Sequence, residues 1–261
     1  MGTGTLQGKT AIITGAARGI GAATAMRLCE QGATLALNDI DADALETLMR
    51  RLPGSSHLSV PGDISSYETA RKLAAAALQR AGRIDILINN AAILHCRDIT
   101  ETPEDEFDRV VDANVRSAYL CCRAVIPAMV AAQQGVIVNV GSISGMAGME
   151  FDGKSTWLYS LTKAALLQLT RSLASRYGRD GLRINAVAPG PTRTSQLRGL
   201  VPGITAEQEN MMWRSTGAEK TLLGRVGEPD EIANVVFFLA GPESGFMTGS
   251  VVVADGGYLV R

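Results

Sequence analysis

Seven short apolar runs alternate along the chain with longer segments of helical period. The runs at 10–14 (TAIIT), 34–38 (TLALN), 57–60 (HLSV), 84–89 (IDILIN), 135–140 (GVIVNV), 182–188 (LRINAVA) and 250–254 (SVVVA) read as strands. Helices are predicted near 19–31, 41–51, 66–81, 103–133, 159–178 and 228–240. Strands that are apolar on both faces need cover on both sides, and the intervening helices supply it. The pattern predicts a doubly wound α/β fold of Rossmann type: one parallel sheet of about seven strands with helices on both faces, in a single domain.

Two departures from regular patterning carry information. The stretch 191–217 is rich in Pro, Gly, Thr and Arg, with a short helix expected at 206–216. It follows a strand whose carboxyl end faces the ligand crevice of such folds, so it is expected to form a substrate-covering lid. The helices over 107–130 and 159–174 are apolar around more than one face, whereas covering one side of a sheet needs a single stripe. The surplus suggests burial against another subunit, and Pro127 is expected to kink the first of these helices or end its regular part.

At 261 residues the chain is within reach of one large domain. Lys+Arg 25 against Asp+Glu 26 gives a net charge of −1, so nothing electrostatic favours nucleic acid or an acidic membrane. The start, MGTGTLQGKT, lacks the pattern of a signal peptide, and no apolar run approaches the ~18 residues of a membrane span. A soluble, cytoplasmic protein is expected. Cys29, Cys96, Cys121 and Cys122 form no CxxC pair and read as small buried side chains in a reducing compartment. With His57 and His95 as the only histidines, a His-based metal site or triad is poorly supported. Both read as loop or surface residues, His95 being a minor candidate for the substrate's neighbourhood because it follows the strand that ends in Asn89-Asn90.

The first strand runs into Gly15-Ala-Ala-Arg-Gly19-Ile-Gly21 and a helix. Glycines at such a turn permit tight backbone angles and close approach of a pyrophosphate, to which the helix N-terminus presents free N–H groups. The spacing is G-x3-G-x-G rather than G-x-G-x-x-G. Asp39 ends the second strand at the distance expected for a carboxylate that binds the adenosine ribose and repels a 2′-phosphate. The competing reading is a helix N-cap, with Asp41 and Asp43 close by. Arg18 argues the other way, since it would meet a 2′-phosphate. The carboxylate outweighs it, and NAD(H) is preferred over NADP(H).

Tyr159 and Lys163 stand four apart on a predicted helix and share a face. An ammonium beside a phenol stabilises the phenolate and draws its pKa toward working pH. YxxxK alone is a weak signal. The whole order is specific: Thr14–Gly21, Asp39, Asp63, Asn89-Asn90-Ala91-Ala92, Asn114, Ser142, Tyr159/Lys163, Pro189-Gly190. From about Leu6 to the DGGY run at 255–258, the chain resembles the short-chain dehydrogenase/reductase family.

The resemblance implies roles at the matching positions. Gly15, Arg18, Gly19, Ile20 and Gly21 would form the pyrophosphate turn, Asp39 would hold the ribose, and Asp63 and Ile64 would flank the adenine. Asn90 would support the central strand and the cofactor. Tyr159 would exchange a proton with the substrate oxygen, Ser142 would hydrogen-bond that oxygen, and Lys163 would bind the nicotinamide ribose and depress the tyrosine pKa. Asn114 would hold a water linking Lys163 to solvent. Pro189, Gly190, Thr192 and Thr194 would hold the carboxamide end of the nicotinamide. A homotetramer is implied as well, and no metal.

Three departures stand out: Ala91-Ala92 where the family has Ala-Gly, Gly141-Ser142 where it often has Ser-Ser, and a longer stretch from Ser142 to Tyr159 through 149–157. That insertion abuts the pocket. The expected activity is hydride transfer between NAD(H) and a secondary alcohol or ketone. An NADPH-dependent 3-oxoacyl-thioester reductase is the alternative enzyme, and a nucleotide-sensing or structural protein that kept the fold without turnover is the alternative class. Met149, Phe151, Trp157, Met211, Met212 and Trp213 are candidates for an apolar pocket wall. Lys154, Arg193 and Arg198 are candidates for an anionic substrate group.

Overall fold

Alternation along each strand sends successive side chains to opposite faces of the sheet, and both faces are buried. In β1 (Thr10–Thr14), Ala11 and Ile13 join one core and Ile12 the other. In β2 (Thr34–Asn38), Leu35 and Leu37 face one side and Ala36 the other. The computed structural model describes residues 4–151, 153–201 and 203–260. Position 152 of the predicted insertion and position 202 of the predicted lid lie outside the described residues.

The other strands are β3 (Leu58–Ser59), β4 (Ile86–Asn89), β5 (Gly135–Val140), a two-stranded hairpin β6 (Glu150–Phe151) and β7 (Lys154–Ser155), β8 (Leu182–Pro189) and β9 (Val251–Ala254). The sheet has seven parallel strands in the order β3-β2-β1-β4-β5-β8-β9. The order reverses beside β1, which puts the crevice of a doubly wound sheet at the carboxyl ends of β1 and β4.

Helices α1 (Gly19–Glu30), α2 (Ala42–Arg51) and α9 (Pro229–Ala240) cover one face, with α1 and α9 packed together. Helices α3 (Tyr67–Ala81), α5 (Ser117–Ala131) and α6 (Trp157–Tyr177) cover the other. The helix expected over 103–133 is α4 (Glu104–Val111), a π turn at Asp112–Arg116, and α5. Its irregularity therefore falls around Asn114 and not at Pro127, through which α5 runs to Ala131. A π turn shifts helical phase by one residue and recurs at functional sites. Here it buries Asn114 against the β4 loop.

The stretch 191–217 contains α7 (Gln196–Leu200) and α8 (Ala206–Thr216), the latter within its predicted bounds. Thr205 caps α8: its hydroxyl accepts from Gln208 N–H while the Gln208 side chain accepts from Thr205 N–H. Leu197, Trp213 and Val226 make a small core of their own with Phe151 of the hairpin packed on it. The predicted insertion and the predicted lid are thus one packed unit over the carboxyl end of the sheet. Of the apolar surplus on α4–α6, Phe107, Tyr119 and Leu161 stay exposed. No helix among the described residues is long and apolar enough to cross a membrane.

Candidate active site

The ends of β1, β2, β4, β5 and β8 converge on a cleft of about 400 Å³. Of the catalytic and cofactor-binding residues expected from the sequence, all line it except Gly21 and Asn114, which are buried.

At the nucleotide end, the backbone comes too close for side chains. Gly15 has φ +61°, and a Cβ there would lie 2.8 Å from Ala91 Cα. A Cβ on Gly21 would collide with the Gly15 carbonyl. Asn90 Nδ2 donates to the carbonyls of Thr14 (3.1 Å) and Gly15 (2.8 Å), and Thr14 Oγ1 accepts from Asn90 and Ala91 N–H. The turn is thereby clamped to the end of β4, and the Cβ-free strip above it fits a pyrophosphate lying on the start of α1.

The N-cap of α2 is Asp41, whose carboxylate accepts from Ala44 N–H at 2.9 Å. Asp39 is not the cap. Its oxygens accept from Ala17 N–H (2.9 Å) and Asp41 N–H (3.0 Å), which anchors the carboxylate at the cleft wall beside the glycine turn. Arg18, the contrary signal in the sequence, reaches Asp41 at 2.6 Å. The Ala44 N–H and the Arg18 guanidinium hold the Asp41 carboxyl below its usual range. Farther along, Gly62, Asp63 and the buried Ile64 line this wall, and the Asp63 carboxylate accepts from Ser65 N–H and Oγ. Asn38, unmarked in the sequence reading, fixes that loop by donating to the Val60 and Gly62 carbonyls at 2.8 and 3.0 Å.

At the other end, α6 carries Tyr159 and Lys163 on one face. Lys163 is buried, and its Nζ donates to the Val140 carbonyl at 2.8 Å and lies 5.6 Å from the Tyr159 ring centroid. Burial pushes the lysine down to about 8. Burial also pushes the Tyr159 phenol up to about 12, against a hydrogen bond with Ser142 that works the other way. The resemblance implies a depressed phenol; among the protein's own groups, desolvation outweighs every stabiliser of the phenolate. Ser142 accepts from Ser144 N–H at 3.1 Å, which orients its hydroxyl.

Asn114 is placed as a brace. Its side chain exchanges hydrogen bonds with the Ile93 backbone (2.8 and 3.0 Å) and donates to Thr162 Oγ1 at 3.0 Å. Thr162 in turn donates to the Tyr159 carbonyl at 2.8 Å. Thr162 escaped the sequence reading, although its place between the tyrosine and the lysine on α6 was a signal. Beyond β8, a Cβ on Gly190 would lie 2.6 Å from Asp255 Cα, and Thr192 Oγ1 donates to the Gly190 carbonyl. The Thr194 methyl closes to 3.3 Å of where a Gly19 Cβ would stand, joining the 191–217 segment to the glycine turn.

Phe151, Leu197 and Trp213 line the cleft above Tyr159, while Met149 faces an adjoining recess and Met211 is exposed. Trp157 stacks on Phe107, ring centroids 6.3 Å apart, and so packs behind the pocket. Arg193 pairs with Glu228 and Asn210, and Arg198 with Glu209, which engages both candidate anion-binding guanidiniums. His95 lies in a loop, as expected, but is not at the surface, being only 3% exposed. His57 is half-buried and bonds Leu35 N–H and the Pro53 carbonyl.

A family model described as Enoyl-(Acyl carrier protein) reductase matches residues 15–259. A Thermotoga maritima protein described as an uncharacterized oxidoreductase is 38% identical over 96% of this chain and 97% of its own length. The 3-oxoacyl-(acyl-carrier-protein) reductase FabG of the same organism is 32% identical over 98% of this chain and 99% of its own. A solved structure described as a short chain dehydrogenase/reductase family protein superposes with a TM-score of 0.85 at 34% identity, covering 98% of this chain and 100% of that one. The chain belongs to the short-chain dehydrogenase/reductase family. It is an oxidoreductase, and short-chain dehydrogenases/reductases use nicotinamide cofactors. The Cβ-free strip and the cleft running from Asp39 to Tyr159 fit such a group.

The buried Lys163 makes stability depend on pH in a defined window. Below pH 8 the lysine is protonated both folded and unfolded, and the cost of burying charge is fully present. Between about 8 and the ordinary value of 10.5 only the unfolded chain keeps the proton, so stability rises with pH there. The stability of the wild type relative to Lys163→Met should therefore rise between pH 7.5 and 10.5 by on the order of 3 kcal/mol in urea unfolding. A pH-independent difference would mean that Lys163 is not desolvated.

Proposed function

We propose that the enzyme transfers hydride between NAD(H) and a secondary alcohol or its ketone, with Tyr159 as acid–base. The observation that carries this reading is the meeting of Tyr159, Ser142 and Lys163 in the same cleft as the glycine turn. When bound, the nicotinamide supplies the hydride acceptor or donor. Tyr159 takes the hydroxyl proton in oxidation and returns one to the carbonyl oxygen in reduction. Ser142 holds the same oxygen as its charge changes. Lys163 holds the nicotinamide ribose and keeps positive charge near the phenol, and Asn114 fixes the helix that carries both through Thr162. Gly15, Gly19, Ile20 and Gly21 cradle the pyrophosphate, Asp63 and Ile64 flank the adenine, and Pro189, Gly190, Thr192 and Thr194 face the carboxamide.

The preference for NAD(H) rests on charge. Asp39 stands at the ribose end of the cleft, and Arg18 is already paired with Asp41. A 2′-phosphate would meet one carboxylate and compete with another for the arginine. The alternative, an NADPH-dependent 3-oxoacyl-thioester reductase, is favoured by the likeness to a protein of that named activity. Absorbance at 340 nm across a panel of secondary alcohols should show turnover with NAD+ well above that with NADP+. Dominant NADP+ turnover would mean that Arg18 leaves Asp41 for the phosphate, and would favour the thioester reductase.

We also propose a cytoplasmic homotetramer. Exposed Tyr119 on α5 and Leu161 on α6 support burial of those helices against other copies. Sedimentation at micromolar concentration should give four chains, and a monomer would contradict it.

A further inference from the structure

His95 is buried with no hydrogen bond to either ring nitrogen among the described residues. Buried polar atoms are nearly always paired, and each lost partner costs on the order of 1–3 kcal/mol. The ring is not adrift. Trp157 meets it edge-on at 6.3 Å and is itself stacked on Phe107. Among the described residues the one carboxylate paired with it is Glu106, which lies 4.0 Å from Nε2, beyond hydrogen-bond reach, and is engaged by Arg97 (3.3 Å) and Arg109 (3.6 Å).

His95 lines a second cleft with Cys96, Arg97 and Lys154. That cleft shares Ile93, Leu94, Phe151 and Gln196 with the one that holds Tyr159 and Ser142. A molecule whose reacting carbon sits at Tyr159 can therefore extend past Leu94 and Phe151 to His95. Burial lowers the histidine pKa, Arg97 and Arg109 lower it further, and only Glu106 opposes. A neutral imidazole offers one donor and one acceptor. A hydroxyl matches that pair, whereas a carboxylate only accepts.

The geometry points to His95 as the anchor of a second substrate subsite, which takes a hydroxyl group carried away from the reacting carbon. This rests on the proposed alcohol dehydrogenase activity and narrows it to diols, hydroxyketones and polyols. Leu94 and Phe151 set the spacing between the two oxygens, and Trp157 holds the imidazole plane.

The test compares cyclohexanol with the 1,2-, 1,3- and 1,4-cyclohexanediols as substrates with NAD+. In the wild type at least one diol should exceed cyclohexanol in kcat/KM by about tenfold, the range of one neutral hydrogen bond. In His95→Phe that ratio should fall toward one through KM, and His95→Gln, which keeps a donor and an acceptor, should restore part of it. No diol preference in the wild type, or a preference untouched by His95→Phe, overturns the subsite. If no alcohol is turned over, the proposed activity fails instead, and the subsite is then judged by binding. The chain has two tryptophans, one of them edge-on to His95. Saturable quenching by a diol, absent with cyclohexanol and lost in His95→Phe, supports the subsite, and its absence overturns it.

Discussion

Lys163 places an ammonium inside the protein, and much of the site's geometry follows from accommodating it. Its charge is met by the Val140 carbonyl at the end of β5, so α6 is tied to the sheet at the point where strand becomes loop. The same bond sets where Tyr159 stands one turn earlier. It also sets the distance from Tyr159 to Ser142, which begins the loop just beyond Val140. Gly141 lies between them because a Cβ there would press on Leu167 at 2.7 Å. A Cβ on Gly145 would lie 2.7 Å from the Lys163 backbone carbon, so only glycine lets this turn pack against α6. A buried cation with a single acceptor among the described residues is unstable in isolation, which fits a lysine whose remaining donors serve a ligand.

The opposite end of the cleft is governed by close backbone approach. Gly15 and Gly21 admit no side chain, and Asn90 ties the resulting turn to β4. The two ends are rigid for different reasons, one electrostatic and one steric. The 191–217 segment bridges them, with Thr194 against Gly19 and Trp213 lining the cleft that holds Tyr159. Arg193 ties the 191–217 segment to the start of α9 through Glu228, and Arg198 pairs with Glu209 within the segment. The apolar lining of the cleft from Phe151, Leu197 and Trp213 thus comes from the hairpin and the 191–217 segment, which lie outside the elements common to a doubly wound sheet.

How much of this was legible in the sequence depended on whether the signal was local. The strands were legible because the sheet is buried on both faces, and α8 because its capping pair lies within four residues. The glycine turn and the Tyr159/Lys163 pair were legible because their spacing is itself the geometry. Asp39 was ambiguous between ribose ligand and cap until the structure gave the cap to Asp41. The π turn was not legible: nothing local in DANVR breaks α-helical period, and the shift comes from Asn114 bonding Ile93 across the fold. The burial of His95 was not legible for the same reason, since Trp157, which meets its ring edge-on, is distant in the chain. The paired states of Arg18, Arg193 and Arg198 are tertiary facts that composition does not carry.

The central claim is that Tyr159 moves the substrate proton while the rest of the cleft holds the nucleotide. Its most direct test is Tyr159→Phe, assayed for alcohol oxidation and for NADH binding by fluorescence. The account predicts at least about a hundredfold loss of turnover, as expected when general acid–base catalysis is removed, with NADH still bound. Turnover within a few-fold of wild type would contradict it, and would place the proton transfer on another group.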